Sequence, residues 1–199
     1  MIALIDYKAG NLTSVKKALA TIGADVYVPG TPEELADASG VIVPGVGHFG
    51  ATRALDGEWT EAILARVGEG RPLFGICLGM QWLYEGSDEA PDAAGLGLLS
   101  GRSYKMTGAS PIKIPHVGWN NLSIRQRTSM VEGIPANAQV YFTHSYACPV
   151  NGDTSATTEH GTEFAAVVQR GHVAGVQFHP EKSGDVGLQI LRNFLELVA

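Results

Sequence analysis

The first third of the chain alternates short apolar runs, rich in β-branched residues, with stretches of helical periodicity. That alternation allows little besides βαβ units laid into a parallel sheet. Ile2 to Asp6 reads as a first strand. After Gly10-Asn11, apolar residues recur at helical spacing (Leu12, Val15, Ala18, Leu19, Ile22), and Gly23 stops the pattern. Val26 to Val28 predicts a second strand, and Thr31-Pro32-Glu33-Glu34 a capping box with proline at the first helical position. Val41 to Val43 predicts a third, buried strand that runs into Pro44-Gly45-Val46-Gly47. A helix from about Thr60 to Val67 then leads to a fourth strand, Leu73 to Ile76, with Cys77 at its carboxyl end.

From about Gly95 the texture changes to β-branched and aromatic runs broken by Gly, Pro and Asn, which predicts strands. Phe164 to Gln169 and His172 to Phe178 flank Arg170-Gly171 as a hairpin. A last amphipathic helix is expected from about Val186 to Val198, with Leu188, Leu191, Leu195 and Val198 facing inward. The expected fold is α/β in three layers: a mostly parallel central sheet flanked by helices, with additional antiparallel strands in the C-terminal half. With no linker, repeat or low-complexity tract, 1–199 reads as a single domain, long enough to bury a sizeable core.

A net charge of −6 offers no clustered basic footprint for nucleic acid or an anionic membrane, so a small metabolite or a protein is the expected partner. The N-terminus lacks the basic and long apolar regions of a signal peptide, and no apolar run approaches the roughly 18 to 20 residues of a spanning helix. A cytoplasmic protein is expected. Cys77 and Cys148 stand far apart in quite different settings, which argues against a structural disulfide. The six histidines form no HxH, HxxxH or CxxC pair, so neither a metal site nor a cofactor is expected.

Three segments carry chemistry. In Phe74-Gly75-Ile76-Cys77-Leu78-Gly79-Met80-Gln81 a cysteine lies between two glycines where a buried strand turns into a helix, the form of a nucleophile elbow. Such a turn holds the nucleophile in a strained conformation, neighbours without Cβ atoms relieve the crowding, and the helix N-terminus favours a thiolate. Cys77 read alone could also be a packed structural thiol. Val176-Gln177-Phe178-His179-Pro180-Glu181 supplies an imidazole and a carboxylate two residues apart; if the extended conformation persists past Pro180, both project from one face and Glu181 can orient His179. Read alone, this could be a strand-end His beside a solvated Glu. Pro44-Gly45-Val46-Gly47-His48-Phe49-Gly50 offers a glycine turn whose N–H groups could serve a developing oxyanion. It could also be an ordinary glycine loop, though it lacks the ending of a P-loop and the spacing of a dinucleotide fingerprint.

Together the elbow, the Pro44 to Gly47 loop and His179-Pro180-Glu181 resemble the three signatures of the class I (triad-type) glutamine amidotransferases, in that family's order and spacing. Further segments resemble its histidine-biosynthetic branch: Pro115-His116-Val117-Gly118-Trp119-Asn120, Tyr141-Phe142-Thr143-His144-Ser145-Tyr146 and His179 through Gly184. The resemblance covers essentially the whole chain. It implies that Cys77 attacks the carboxamide of L-glutamine to form a thioester, that His179 acts as base and then acid, and that Glu181 orients it. It also implies that the Gly45, Val46, Gly47 strand supplies the oxyanion donor through the Val46 N–H, and that Gln81, Glu89, Ser145 and Tyr146 hold the glutamine. In such proteins the oxyanion strand can rest in an unproductive orientation until a partner binds its own substrate. The implied partner is a (β/α)8-barrel cyclase that uses the ammonia to make imidazole glycerol phosphate and aminoimidazole carboxamide ribotide, with Asn11, Trp119, Tyr141 and Lys182 at the interface of a heterodimer. Plain packing or solvation would also account for those four side chains.

Nothing in the spacing of His48, His116, His144, His160 or His172 demands chemistry, and hydrogen-bonded structural roles are expected; Cys148 reads as a packed thiol. Three other classes stay open. An anthranilate- or aminodeoxychorismate-type amidotransferase would share the triad without the Pro115 to Asn120 segment or Lys182. A different cysteine hydrolase of similar topology and a non-enzymatic binding module are the other two.

Overall fold

Ile2 and Leu4 point into one apolar core and Ala3 and Ile5 into another, as successive residues of a strand must. The same division separates Ile42 from Val41 and Val43, and Phe74 and Ile76 from Leu73. Strands buried on both faces require helices on both sides of the sheet.

The computed structural model describes residues 1–108 and 112–198. Its first half comprises β1 (Ile2–Leu4), α1 (Leu12–Thr21), β2 (Val26–Tyr27), β3 (Gly40–Gly45), α2 (Glu58–Gly68), β4 (Leu73–Cys77) and α3 (Leu78–Leu83). Then follow β5 (Gly86–Ser87), β6 (Arg102–Lys105), β7 (His116–Asn121), β8 (Ser123–Ile124), β9 (Gln139–His144) and β10 (Tyr146–Ala147). The chain closes with β11 (Thr154–His160), β12 (Thr162–Arg170), β13 (Val173–Val176) and α4 (Gly184–Val198).

The eight-stranded main sheet has the order β2-β1-β3-β4-β13-β12-β11-β8. From β2 to β13 neighbouring strands are parallel, and from β13 to β8 they are antiparallel. This is the α/β architecture expected, with the antiparallel part confined to the C-terminal half. α1 and α4 cover one face, where Val15, Leu19, Ile190, Leu191 and Phe194 join the first core and the rings of Phe74 and Phe194 stack 5.0 Å apart. α2 and α3 cover the other, through Ile63, Leu78, Met80 and Leu83. Two small sheets, β10-β6-β5 and β7-β9, lie beside the main one.

Several local expectations are corrected. Thr31 makes no capping hydrogen bond: Pro32–Leu35 is a single 3-10 turn, and the Glu34 carboxylate instead accepts the Gly30 N–H at 2.8 Å. The β12–β13 hairpin turns at Gly171-His172, one residue later than expected, because Arg170 still pairs with Val173 and Gly171 takes the positive φ (+58°). β13 ends at Val176, so His179 and Glu181 do not lie on an extended strand; Pro180–Lys182 form a 3-10 turn, which proline tolerates at a first helical position. In α4, Ile190, Leu191 and Phe194 are fully buried, whereas Leu188, Leu195 and Val198 only partly pack against the core. Sequence periodicity did not anticipate the 3-10 segment Phe49–Leu55.

Candidate functional site

The carboxyl ends of the parallel strands gather the three segments at one edge of the sheet. Cys77 closes β4 and N-caps α3 with φ of +53° and ψ of −105°, a backbone conformation that L-residues rarely adopt. The flanking glycines make this turn possible. A Cβ on Gly75 would collide with the backbone of Gly79 and Met80, and one on Gly79 would overlap the carbonyl of Val43 in β3. α3 can therefore start directly against the sheet, with the thiol at its head.

β13 runs parallel to β4, and the chain leaving it brings His179 over Cys77. The imidazole and the Glu181 carboxylate are each 2% exposed, and Nδ1 of His179 lies 2.8 Å from Oε1 of Glu181. The 3-10 turn makes this contact by folding the two residues together. The ring is anchored through its main chain: its N–H donates to the Tyr141 carbonyl at 2.9 Å, and its carbonyl accepts from Ser183 Oγ at 2.7 Å. Burial disfavours the charged ring, but the adjacent Cys77 and Glu181 outweigh it and push the His179 pKa up to about 10. Nε2 is buried and makes no hydrogen bond within the described residues.

The cavity above Cys77 has a volume of about 280 Å³ and is lined by Gly47, Leu78, Gln81, Glu89, Ser145 and Tyr146 among others. Those lining residues include five of the seven expected to hold glutamine; Gly45 and Val46 stand just behind, in and after β3. Gln81 is held in place by Nε2 bonds to the Tyr146 carbonyl at 3.0 Å and to Gln177 Oε1 at 3.1 Å. Glu89 Oε2 accepts the Phe49 N–H at 2.6 Å. The oxyanion strand is arranged otherwise: the Val46 N–H donates to the Ala9 carbonyl at 2.7 Å and is not free for a ligand in the cavity.

Two residues at this site were not singled out from sequence. Gln177 is fully buried and its Nε2 donates to Cys77 Sγ at 3.6 Å, placing a positive dipole on the sulfur. Its position two residues before His179 was a usable signal. His144 lines the cavity and belongs to a buried chain: His144 Nδ1 donates to the Tyr146 carbonyl at 2.8 Å, its Nε2 accepts from His116 Nδ1 at 3.0 Å, and His116 Nε2 accepts from Asn120 at 3.2 Å. These partners assign both tautomers as neutral. Burial lowers the pKa values, reinforced for His116 by His144 and His160, to about 3 for His116 and about 4 for His144. His48, His160 and His172 each make one main-chain hydrogen bond. Cys148 is fully buried, and burial holds its thiol well above the ordinary range.

Three of the four expected interface residues stand together. Trp119 on β7 is 55% exposed and meets the ring of Tyr141 on β9 edge-on at 6.0 Å, while Lys182 Nζ lies 5.7 Å from the centre of that ring. Asn11 has a task within the chain: it N-caps α1 by accepting the Ser14 N–H at 3.3 Å. Among the described residues no cluster of His, Cys, Asp and Glu could hold a metal ion, and no helix is long and apolar enough to cross a membrane.

A strained thiol beside a buried imidazole whose second nitrogen is fixed by a carboxylate has the form of a cysteine triad, suited to acyl transfer. The family model for glutamine amidotransferase class-I matches residues 3–198. The chain is 46% identical to imidazole glycerol phosphate synthase subunit HisH of Halobacterium salinarum, covering 100% of this chain and 94% of that one. It is also 46% identical to the subunit of the same name from Moorella thermoacetica, over 99% and 95% of the two chains. A crystal structure of a glutamine amidotransferase superposes with a TM-score of 0.79 at 22% identity, covering 100% and 99%, and so supports the fold. The chain belongs to the class-I glutamine amidotransferases, in the family of imidazole glycerol phosphate synthase subunits HisH.

Proposed function

We propose that this chain is the glutaminase half of a two-subunit ammonia-transferring enzyme of histidine biosynthesis, folded as a single domain over 1–199 and working in the cytoplasm. The observation that carries the reading is the buried His179–Glu181 contact of 2.8 Å set against the strained Cys77 at the floor of the cavity. Cys77 Sγ gives its proton to His179 and attacks the carboxamide carbon of L-glutamine. His179 passes a proton to the leaving nitrogen as the C–N bond breaks, releasing ammonia and a glutamyl thioester. Water, deprotonated by His179, then attacks the thioester to give glutamate and restore the thiol. Glu181 keeps Nδ1 occupied and steadies the charged ring. Gln81, Glu89, Ser145, Tyr146 and Gly47 hold the substrate, and the Gly45 to Gly47 strand supplies the Val46 N–H to the oxyanion once its peptide has turned away from Ala9.

The ammonia passes to a (β/α)8-barrel cyclase docked over Trp119, Tyr141 and Lys182, with Asn11 nearby at the start of α1. The exposed indole beside Tyr141 and Lys182 supports that surface, since an aromatic with an adjacent cation is a common interface anchor. Channelling is required because free ammonia becomes ammonium in neutral water. With the cyclase present, Cys77→Ala is expected to lower glutamine-driven synthesis by about 10⁴-fold or more while added ammonium still supports the cyclase reaction. Glutaminase activity surviving in Cys77→Ala would defeat the mechanism. Loss of the ammonium-driven reaction as well would mean that the variant had disturbed the partner rather than the chemistry.

A further inference from the structure

Tyr7 follows β1 at the edge of the sheet where the site gathers, and its hydroxyl is buried without a hydrogen-bond partner among the described residues. That hydroxyl abuts Gly45: a Cβ there would collide with Tyr7 Oη and with Leu78. An unsatisfied buried hydroxyl is costly, and natural structures hold few of them. Its neighbour is the peptide that must move for Val46 to serve an oxyanion, since the Val46 N–H is now committed to the Ala9 carbonyl at 2.7 Å. The peptide unit is planar, so turning that N–H toward the cavity swings the Gly45 carbonyl the opposite way, to the side of Ala9 and Tyr7. The Ala9 carbonyl has no proton to offer it. The Tyr7 hydroxyl has one.

We propose that Tyr7 is a positioning residue whose hydroxyl receives the Gly45 carbonyl when the Gly45–Val46 peptide turns, so that the oxyanion-competent strand exchanges one hydrogen bond for another. This rests on the reading of Cys77 as an acyl-transfer nucleophile. Burial, and after it the neighbouring Cys77, push the Tyr7 pKa above its ordinary value and keep the donated proton in place. Glycine on both sides of Val46 leaves the peptide free to rotate, and Gly47 already adopts a φ of +95°.

The test compares wild type, Tyr7→Phe and Cys77→Ala in complex with the cyclase loaded with its own substrate. For Tyr7→Phe, glutaminase kcat should fall on the order of tenfold, the worth of one hydrogen bond of about 1.4 kcal/mol, with KM for glutamine within about twofold. The thermal midpoint should hold or rise, because an unsatisfied hydroxyl is removed. Labelling of Cys77 by a diazo-ketone glutamine analogue should keep its wild-type rate. An unchanged kcat in Tyr7→Phe with Cys77→Ala inactive would overturn the Tyr7 role alone. A kcat loss accompanied by a lowered midpoint or slowed labelling would also overturn it, since packing would then suffice. Turnover by Cys77→Ala would overturn both the Tyr7 role and the reading beneath it.

Discussion

Cys77 has one flank that is assembled and one that is not. On the β13 side, His179 and Glu181 are in contact and buried, the His179 pKa is raised, and the main chain of His179 is tied to Tyr141 and Ser183. On the β3 side, the Val46 N–H is spent on Ala9 and faces away from the cavity. The difference lies in what holds each part. The His179 arm is fixed by the Glu181 and Ser183 side chains and the Tyr141 carbonyl, whereas the Val46 N–H, between two glycines, is held by one main-chain bond to Ala9. On the proposed mechanism, nucleophile activation is built into the chain, and stabilisation of the tetrahedral intermediate is left to be switched on.

The largest effect should come from breaking the assembled flank. Glu181→Gln removes the negative charge beside Nδ1 and should lower glutamine-driven turnover by about 10³- to 10⁴-fold, measured with the cyclase present. The same substitution alters how stability depends on pH. His179 titrates near 10 in the folded chain against an ordinary 6.5, so the stabilisation from its charged form is complete below about pH 6.5 and is lost as the pH climbs toward 10. A thermal midpoint that falls across this window in wild type should fall less in Glu181→Gln. Equal slopes would mean that Glu181 does not hold the charge.

Next in size is a test of the withheld flank. The chain without its partner should turn glutamine over about 10²- to 10³-fold more slowly than the loaded complex, the usual cost of one missing oxyanion donor. Robust turnover by the lone chain would show that the Val46–Ala9 bond is no barrier. The smallest effects are expected at the surface that would release it: Trp119→Ala and Lys182→Ala should each weaken assembly by about 10- to 30-fold, or uncouple glutamine use from product. Titration calorimetry and the product-to-glutamate ratio would decide, and unchanged values in both would remove these side chains from the interface.

The sheet and the elbow were legible because each obeys a local rule. Two-sided burial produces continuous apolar runs such as Val41 to Val43, and a sharp strand-to-helix turn needs the small neighbours Gly75 and Gly79. The His179–Glu181 pair was legible in composition but not in conformation, since a Pro after His suits either an extended run or the first turn of a helix, and only tertiary packing chose the turn. The one-residue slip at Gly171-His172 has a similar origin: strand propensity does not say which residue takes the positive φ. Tyr7, Gln177 and the His116–His144 chain were hidden for another reason. Each acquires its meaning from a neighbour tens of residues away, and no periodicity within one strand records that.

The close approach of Gly79 to the Val43 carbonyl has a consequence for anyone who would transplant this chemistry. Because no side chain separates Gly79 of α3 from Val43 of β3, the strand that positions Val46 and the turn that positions Cys77 are cut to a single fit, like two halves of a hinge. A designer who grafts the Gly75 to Gly79 elbow onto another sheet must carry Val43 through Gly47 along with it, or the nucleophile arrives without a partner strand at the right height.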